Sequence, residues 1–127
     1  MRKIDKNRLF EMLSLQQMLY DYCHELDAGA ARVTDYFTED CIFRVGETDW
    51  HGHAGLRDHY AEDARAVLEY YEGGVRTVRH GLLNCRIQVQ DTSSASVDLI
   101  FLNFSAGGKA PFTNSSAPTV VADTRLE

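Results

Sequence analysis

The hydrophobic pattern of this chain changes period part-way along. Up to about residue 74 the apolar residues recur every three or four positions, and from Thr77 onward every second position. A period near 3.6 belongs to a helix with one buried face, and a period of 2 to a strand with one buried face. The order is therefore helices first and long antiparallel strands after, which predicts an α+β fold with the helices laid on one face of a sheet. A strongly curved sheet covered in this way forms a cone whose mouth or interior can hold a ligand.

The individual elements follow from the same pattern. Leu15, Leu19, Tyr22, Cys23 and Leu26 mark one face of a long helix over Leu9 to Leu26, stopped by Asp27, Ala28 and Gly29, with Gly29 free to take a left-handed cap. A short second helix is expected through Val33, Tyr36 and Phe37. The segment Cys41 to Gly46 reads as a strand, and Glu47 to His53 as a turn followed by a short returning strand. A third helix is signalled over Gly55 to Tyr71, ended by Glu72 to Gly74. Three strands follow over Thr77 to Gln90, Ala95 to Ala106 and Thr119 to Leu126. Asp91 to Ser94 is a hairpin turn, and Gly107 to Pro118 a longer loop.

With 127 residues and 44% hydrophobic content, the chain is long enough for one core, and a single domain over 1–127 is expected. The formal charge is -6 with no long basic cluster, which argues against nucleic acid as a partner, and no apolar run reaches membrane length. A neutral or modestly polar small molecule fits the composition better. The segment Asp5 to Arg8 interrupts the place where a secretory signal needs apolar residues, so no export is implied. Three cysteines without paired spacing, Cys23, Cys41 and Cys85, suit reduced thiols in a cytoplasm. Neither CxxC nor HExxH spacing is present, and the pair His51 and His53 is a weak metal signal, so no metal and no cofactor is expected. A metal- or haem-binding use of the histidines is the faintest of the functional readings.

One residue stands out. In Thr77 to Asn84, alternation puts His80 on one face with Val78, Leu82 and Asn84, turning an imidazole toward the interior. A neutral buried histidine hydrogen-bonded to a carbonyl or to Asn84 is the plain explanation; a general base is the chemical one.

Three stretches carry a family resemblance. Tyr22 to Val45 resembles the opening of the SnoaL-like branch of the nuclear transport factor two-like superfamily, a cystatin-like α+β cone. Trp50 to Tyr60 is similar to the entry of that family to its third helix, and Arg79 to Val89 to its histidine-bearing strand. The resemblance covers about Leu9 to Ser105 and implies the fold. It also implies a departure: the family's sheets continue with a further strand, so here the last strand is missing and a homodimer through the exposed sheet face is expected.

The family includes dehydratases of the scytalone type, dehydrochlorinases, isomerases, cyclases and the small subunits of ring-hydroxylating dioxygenases. In the dehydratase and dehydrochlorinase members an aspartate at the end of the first helix and a histidine on a central strand form a base. The matching positions are Asp27 and His80. The carboxylate base of the steroid isomerases falls on Val45, which cannot accept a proton, whereas their helix tyrosine falls on Tyr22. The resemblance thus implies a cofactor-independent lyase or isomerase acting on a hydrophobic small molecule, with Asp27 and His80 as catalytic residues. Tyr22, Asn84, Arg44 and Trp50 are the candidate substrate-binding residues. The alternative is a non-catalytic ligand-binding or assembly module. Asp27 has a plain role too, serving the turn or capping the next helix. His24, His51, His53 and His59 are read as surface, and Tyr60 as a packing group.

Overall fold

A computed structural model describes residues 5–70, 73, 78–105 and 117–127. The first long helix, α1, runs over Leu9–Asp27, and its buried residues Leu19, Cys23 and Leu26 are those of the apolar stripe. Its end is closed by backbone bonds, with the Ala30 N–H donating to the Glu25 carbonyl at 2.9 Å and Gly29 adopting a φ of 110°. In place of a short second α-helix there is one 3-10 turn over Val33–Tyr36, whose Val33 is buried.

Strands β1 (Ile42–Val45) and β2 (Thr48–His51) pair antiparallel in a hairpin. The second helix, α2, spans Gly52–Tyr70 and begins three residues before the sequence pattern suggests. The reason is that its first turn, Gly52 to Ala54, lies ahead of the apolar stripe that Leu56 opens. Gly52 is required where it stands: its φ is +62°, and a Cβ there would lie 2.8 Å from the Glu39 carbonyl oxygen. The returning strand consequently ends at His51 rather than His53. The expected end of this helix, including Tyr71, lies outside the described residues.

The long strands β3 (Val78–Val89), β4 (Ala95–Ser105) and β5 (Val120–Leu126) form a separate antiparallel sheet in the order β3-β4-β5. The Asp91 turn between β3 and β4 is closed by its own side chain, which accepts from both Ser93 and Ser94. Those hydrogen bonds, the Ser94 hydroxyl foremost, hold the Asp91 carboxyl down at about 2. Most of the loop expected over Gly107 to Pro118 lies outside the described residues. The architecture is α+β, with α1 packed on the three-stranded sheet and α2 beside the hairpin.

Alternation in β4 sorts the two faces. Val97 and Leu99 are buried against Leu19 of α1, with Leu82, Ile87, Phe101 and Leu126 around them. Asp98, Ile100, Leu102 and Phe104 therefore point to the other side. A second cluster, Leu26, Ala30 and Val33, is covered by Tyr22, Phe37, Tyr60 and Phe101. Phe101 joins the two.

Leu82 and Ile87 both face inward although five positions separate them, an odd interval that simple alternation forbids. A bulge resolves this. The register passes from Leu83 opposite Ile100 to Arg86 opposite Asp98, three steps on β3 against two on β4, and Asn84 takes a left-handed φ of 55° within it. Asparagine is among the few residues that accept this conformation at low cost. Asn84→Gly should therefore leave the melting temperature nearly unchanged, and Asn84→Val should lower stability by about 1–2 kcal/mol, as read by chemical denaturation.

Candidate functional site

Asp27 is the last residue of α1 and His80 the third of β3, and packing of α1 on the sheet brings them together. The His80 Nδ1 lies 2.8 Å from Asp27 Oδ1, and the His80 backbone N–H donates to the same oxygen at 3.0 Å. The side chains are 5% and 18% exposed for His80 and Asp27 respectively. Because β3 is an edge strand, the N–H that points away from β4 has no ladder partner, and the carboxylate supplies one.

That backbone bond has a consequence for the neighbouring strand. His80 is opposite Asn103, and since its N–H goes to Asp27, the two form a non-hydrogen-bonded pair, the kind in which side chains approach most closely. Asn103 Nδ2 accordingly reaches His80 Nε2 at 3.2 Å. Facing a carboxylate at one nitrogen and an amide donor at the other, a neutral imidazole carries its proton on Nδ1 and a lone pair on Nε2. The Phe101 ring flanks it, with centroids 5.2 Å apart.

The remaining sequence candidates are distributed differently. The Tyr22 hydroxyl lies 3.0 Å from that of Tyr60, and burial, with Tyr60 beside it, pushes the Tyr22 phenol far above its usual range. Tyr22 packs on the same cluster as Phe101, which places it in the neighbourhood of the pair. Tyr60 is thus more than a packing group, since its hydroxyl is bonded inside the fold.

Three expectations are corrected. Asn84 does not share the His80 face: the bulge turns it out of phase and it is exposed. Arg44 points to solvent, 66% exposed, and its Nη2 donates to Asp49 Oδ2 at 2.7 Å across the hairpin. It is the register partner of Asp49, so the guanidinium is occupied on the surface. Trp50 is taken up in packing, against Phe43 and His59 at 6.0 and 4.4 Å between centroids.

Two of the histidines read as surface are half-buried. His53 Nε2 lies 2.8 Å from the Phe37 carbonyl oxygen and donates to it. His59 is enclosed by Trp50, Phe43 and Tyr60, and burial lowers its affinity for a proton, against the opposing effect of Asp63 and Glu62. His53 lies in the early first turn of α2, and His59 faces Phe43 and Trp50 of the hairpin. His24 and His51 are exposed. Among the described residues no group of three or more His, Cys, Asp or Glu side chains is placed to hold a metal ion.

Asn103 is the site residue that the sequence reading passes over. Its signal was a polar side chain in the inward phase of the apolar run Leu99 to Phe104, but its meeting with His80 depends on a register that one sequence does not reveal. A recess of about 430 Å³ lies elsewhere, lined by Asn84, Arg86, Asp98, Ile100, Asp123 and Arg125 among others. It opens on the outer face of the sheet, and neither Asp27 nor His80 lines it.

The SnoaL-like domain model matches residues 7–125, nearly the whole chain. The chain belongs to the SnoaL-like domain family. Solved structures agree on the fold. A proposed aromatic ring hydroxylase from Novosphingobium aromaticivorans is 22% identical with a TM-score of 0.61, covering 89% of this chain and 72% of its own. A proposed scytalone dehydratase from the same organism is 19% identical with a TM-score of 0.62, covering 93% and 71%. The beta subunit of the benzoate 1,2-dioxygenase of Burkholderia mallei is 16% identical with a TM-score of 0.58, covering 98% and 77%. Comparison with curated proteins gives no match. This SnoaL-like chain has no helix, among the described residues, long and apolar enough to cross a membrane.

The position of His59 gives a pH dependence. Its folded affinity for protons is lowered, so as pH falls below the ordinary value of 6.5 the unfolded chain binds the proton first and stability declines. His59→Phe, which keeps the aromatic packing, should make the melting temperature fall less steeply between about pH 7 and pH 5.5. An unchanged slope in a thermal melt series would show that His59 titrates alike in both states.

Proposed function

We propose that this SnoaL-like protein is a lyase or isomerase acting on a hydrophobic small molecule by proton transfer alone. The observation that carries the reading is the 2.8 Å contact between the Asp27 carboxylate and Nδ1 of a nearly buried His80. The carboxylate orients the imidazole and stabilises the cation that forms when Nε2 takes a proton. In an elimination, a substrate C–H proton passes to Nε2, its electron pair becomes a double bond, and hydroxide or halide departs with the other pair. A departing hydroxide takes the proton back from Nε2 as water. In an isomerisation the proton returns to a different carbon. Tyr22, bonded to Tyr60, is the candidate donor to a substrate oxygen. The SnoaL-like match and the fold shared with a proposed scytalone dehydratase support this class of reaction.

The test is a thermal-shift screen of hydrophobic ketones, alcohols and halides, followed by turnover of those that bind. His80→Gln should lower turnover about 10²- to 10⁴-fold, the usual contribution of a positioned base, while binding persists. Turnover equal to wild type would remove His80 from the chemistry.

A second reading, an assembly module, is favoured by the outer sheet face. Leu83 and Val121 are 50% and 66% exposed there, and with the half-buried Ile100 and Leu102 they make an apolar band across three strands. Beside it Arg86, Asp98 and Arg125 form a row of alternating charge, with Arg125 bonded to Asp98 at 2.9 Å. The apolar band can pack on its own copy across a two-fold axis, so a second copy of this chain is the partner we assign to it. The shared fold of a dioxygenase beta subunit supports the idea of assembly. Sedimentation should give a dimer that Leu83→Asp converts to monomer; a wild-type monomer at micromolar concentration would refute it.

A further inference from the structure

The outer face of the sheet carries charge as well as apolar surface, and the strand register fixes where. Arg86 lies opposite Asp98, and Asp98 opposite Arg125; further along β4, Leu83 and Asp123 flank Ile100. Residues directly opposite one another share a face. The face therefore shows two adjacent rows, one of cation, carboxylate and cation, the next of leucine, isoleucine and carboxylate. Arg125 is taken by Asp98 at 2.9 Å and by Glu127 at 2.7 Å. Arg86 and Asp123 are exposed and both line the recess, and among the described residues neither side chain has a hydrogen bond or an ion pair. Strand spacing keeps them apart within one chain: two strands across and two residues along put their backbones about 12 Å from each other.

We propose that Arg86 of each copy pairs with Asp123 of the partner subunit across the two-fold axis of a dimer. This rests on the assembly reading above and gives that interface its register. The midpoint between the two residues falls on β4, between Asp98 and Ile100. A two-fold axis lying in the interface, through that point and perpendicular to the line joining Arg86 and Asp123, exchanges their positions, so an isologous contact forms the pair twice. The same operation brings Asp98 toward Arg125 of the partner subunit, and Leu83 toward Ile100 of the partner subunit. Each charge then faces its opposite, and the apolar residues face one another. An axis along β4 would instead set Arg86 on Arg125 of the partner subunit. An axis across the strands would set Arg86 on Leu83 of the partner subunit and Asp98 on Ile100 of the partner subunit, burying charge against apolar surface. The diagonal axis is tilted about 35° from the strands, so the two sheets cross at about 70°, near the orthogonal class of sheet packing.

The test is sedimentation velocity of the whole chain, with the folding of each variant checked by its melting temperature. Arg86→Asp alone and Asp123→Arg alone each set like charges together twice, and each should weaken the dimer by at least about a hundredfold. An equimolar mixture of the two variants should sediment as a dimer again, because the heterodimer has an aspartate opposite an arginine at both contacts. Only a pair formed between copies is restored by mixing. Single variants that dimerise as wild type does overturn the proposal, as does a mixture that stays monomeric. Where a charge reversal does not fold, Arg86→Gln and Asp123→Asn decide: their losses of affinity should not multiply in the double variant, and losses that multiply overturn the pairing. A wild-type monomer sinks the assembly reading itself, whereas dimeric single variants leave that reading standing, so the two failures are distinguishable.

Discussion

One carboxylate oxygen, Asp27 Oδ1, holds the end of the long helix to the edge of the sheet. It accepts the peptide N–H of His80, which would otherwise be a buried donor on an edge strand, and it accepts the ring nitrogen of the same residue. The double bond fixes both the backbone phase of β3 and the orientation of the imidazole. From it follow the pairing type opposite Asn103, the approach of the amide to Nε2, and the turn of the Asn103 carbonyl toward Thr119. The structural staple and the proposed base are here the same pair of groups.

The bulge at Asn84 is the second constraint. Before it, even-numbered residues of β3 face α1; after it, odd-numbered ones do, which lets Val78, His80, Leu82 and Ile87 all lie on the packed side. Without the extra residue the second half of β3 would present Arg86 and Gln88 to the core. The opposite face receives Leu83, Arg86 and their cross-strand neighbours, and this is where the recess and the exposed apolar band are found. The proposed chemistry and the proposed assembly therefore fall on opposite faces of one sheet.

Much of this was legible in the sequence, and the failures have physical causes. The change of period locates α1 and the three long strands to within a few residues, because burial on one face is what periodicity records. The inward turn of His80 was legible from Val78 and Leu82 beside it. Its contact with Asp27, 53 residues earlier, was legible only through family resemblance, since no local pattern encodes which helix end meets which strand. Asn84 was misplaced because a left-handed bulge is invisible to alternation. Arg44 was misplaced because its pairing with Asp49 is set by the hairpin register. His53 was misread because α2 starts before its apolar stripe and takes this residue into its first turn, and His59 because no local pattern reveals that Phe43 and Trp50 of the hairpin cover it.

The account's central claim is that Asp27 and His80 act as one proton-transferring unit. The most direct measurement is a double-mutant cycle on turnover of a substrate found by screening, with Asp27→Asn, His80→Gln and the pair. Groups acting as a unit are non-additive, so the double variant should turn over no more slowly than the poorer single one. Rate losses that simply multiply would show two residues working independently, and the account would be wrong.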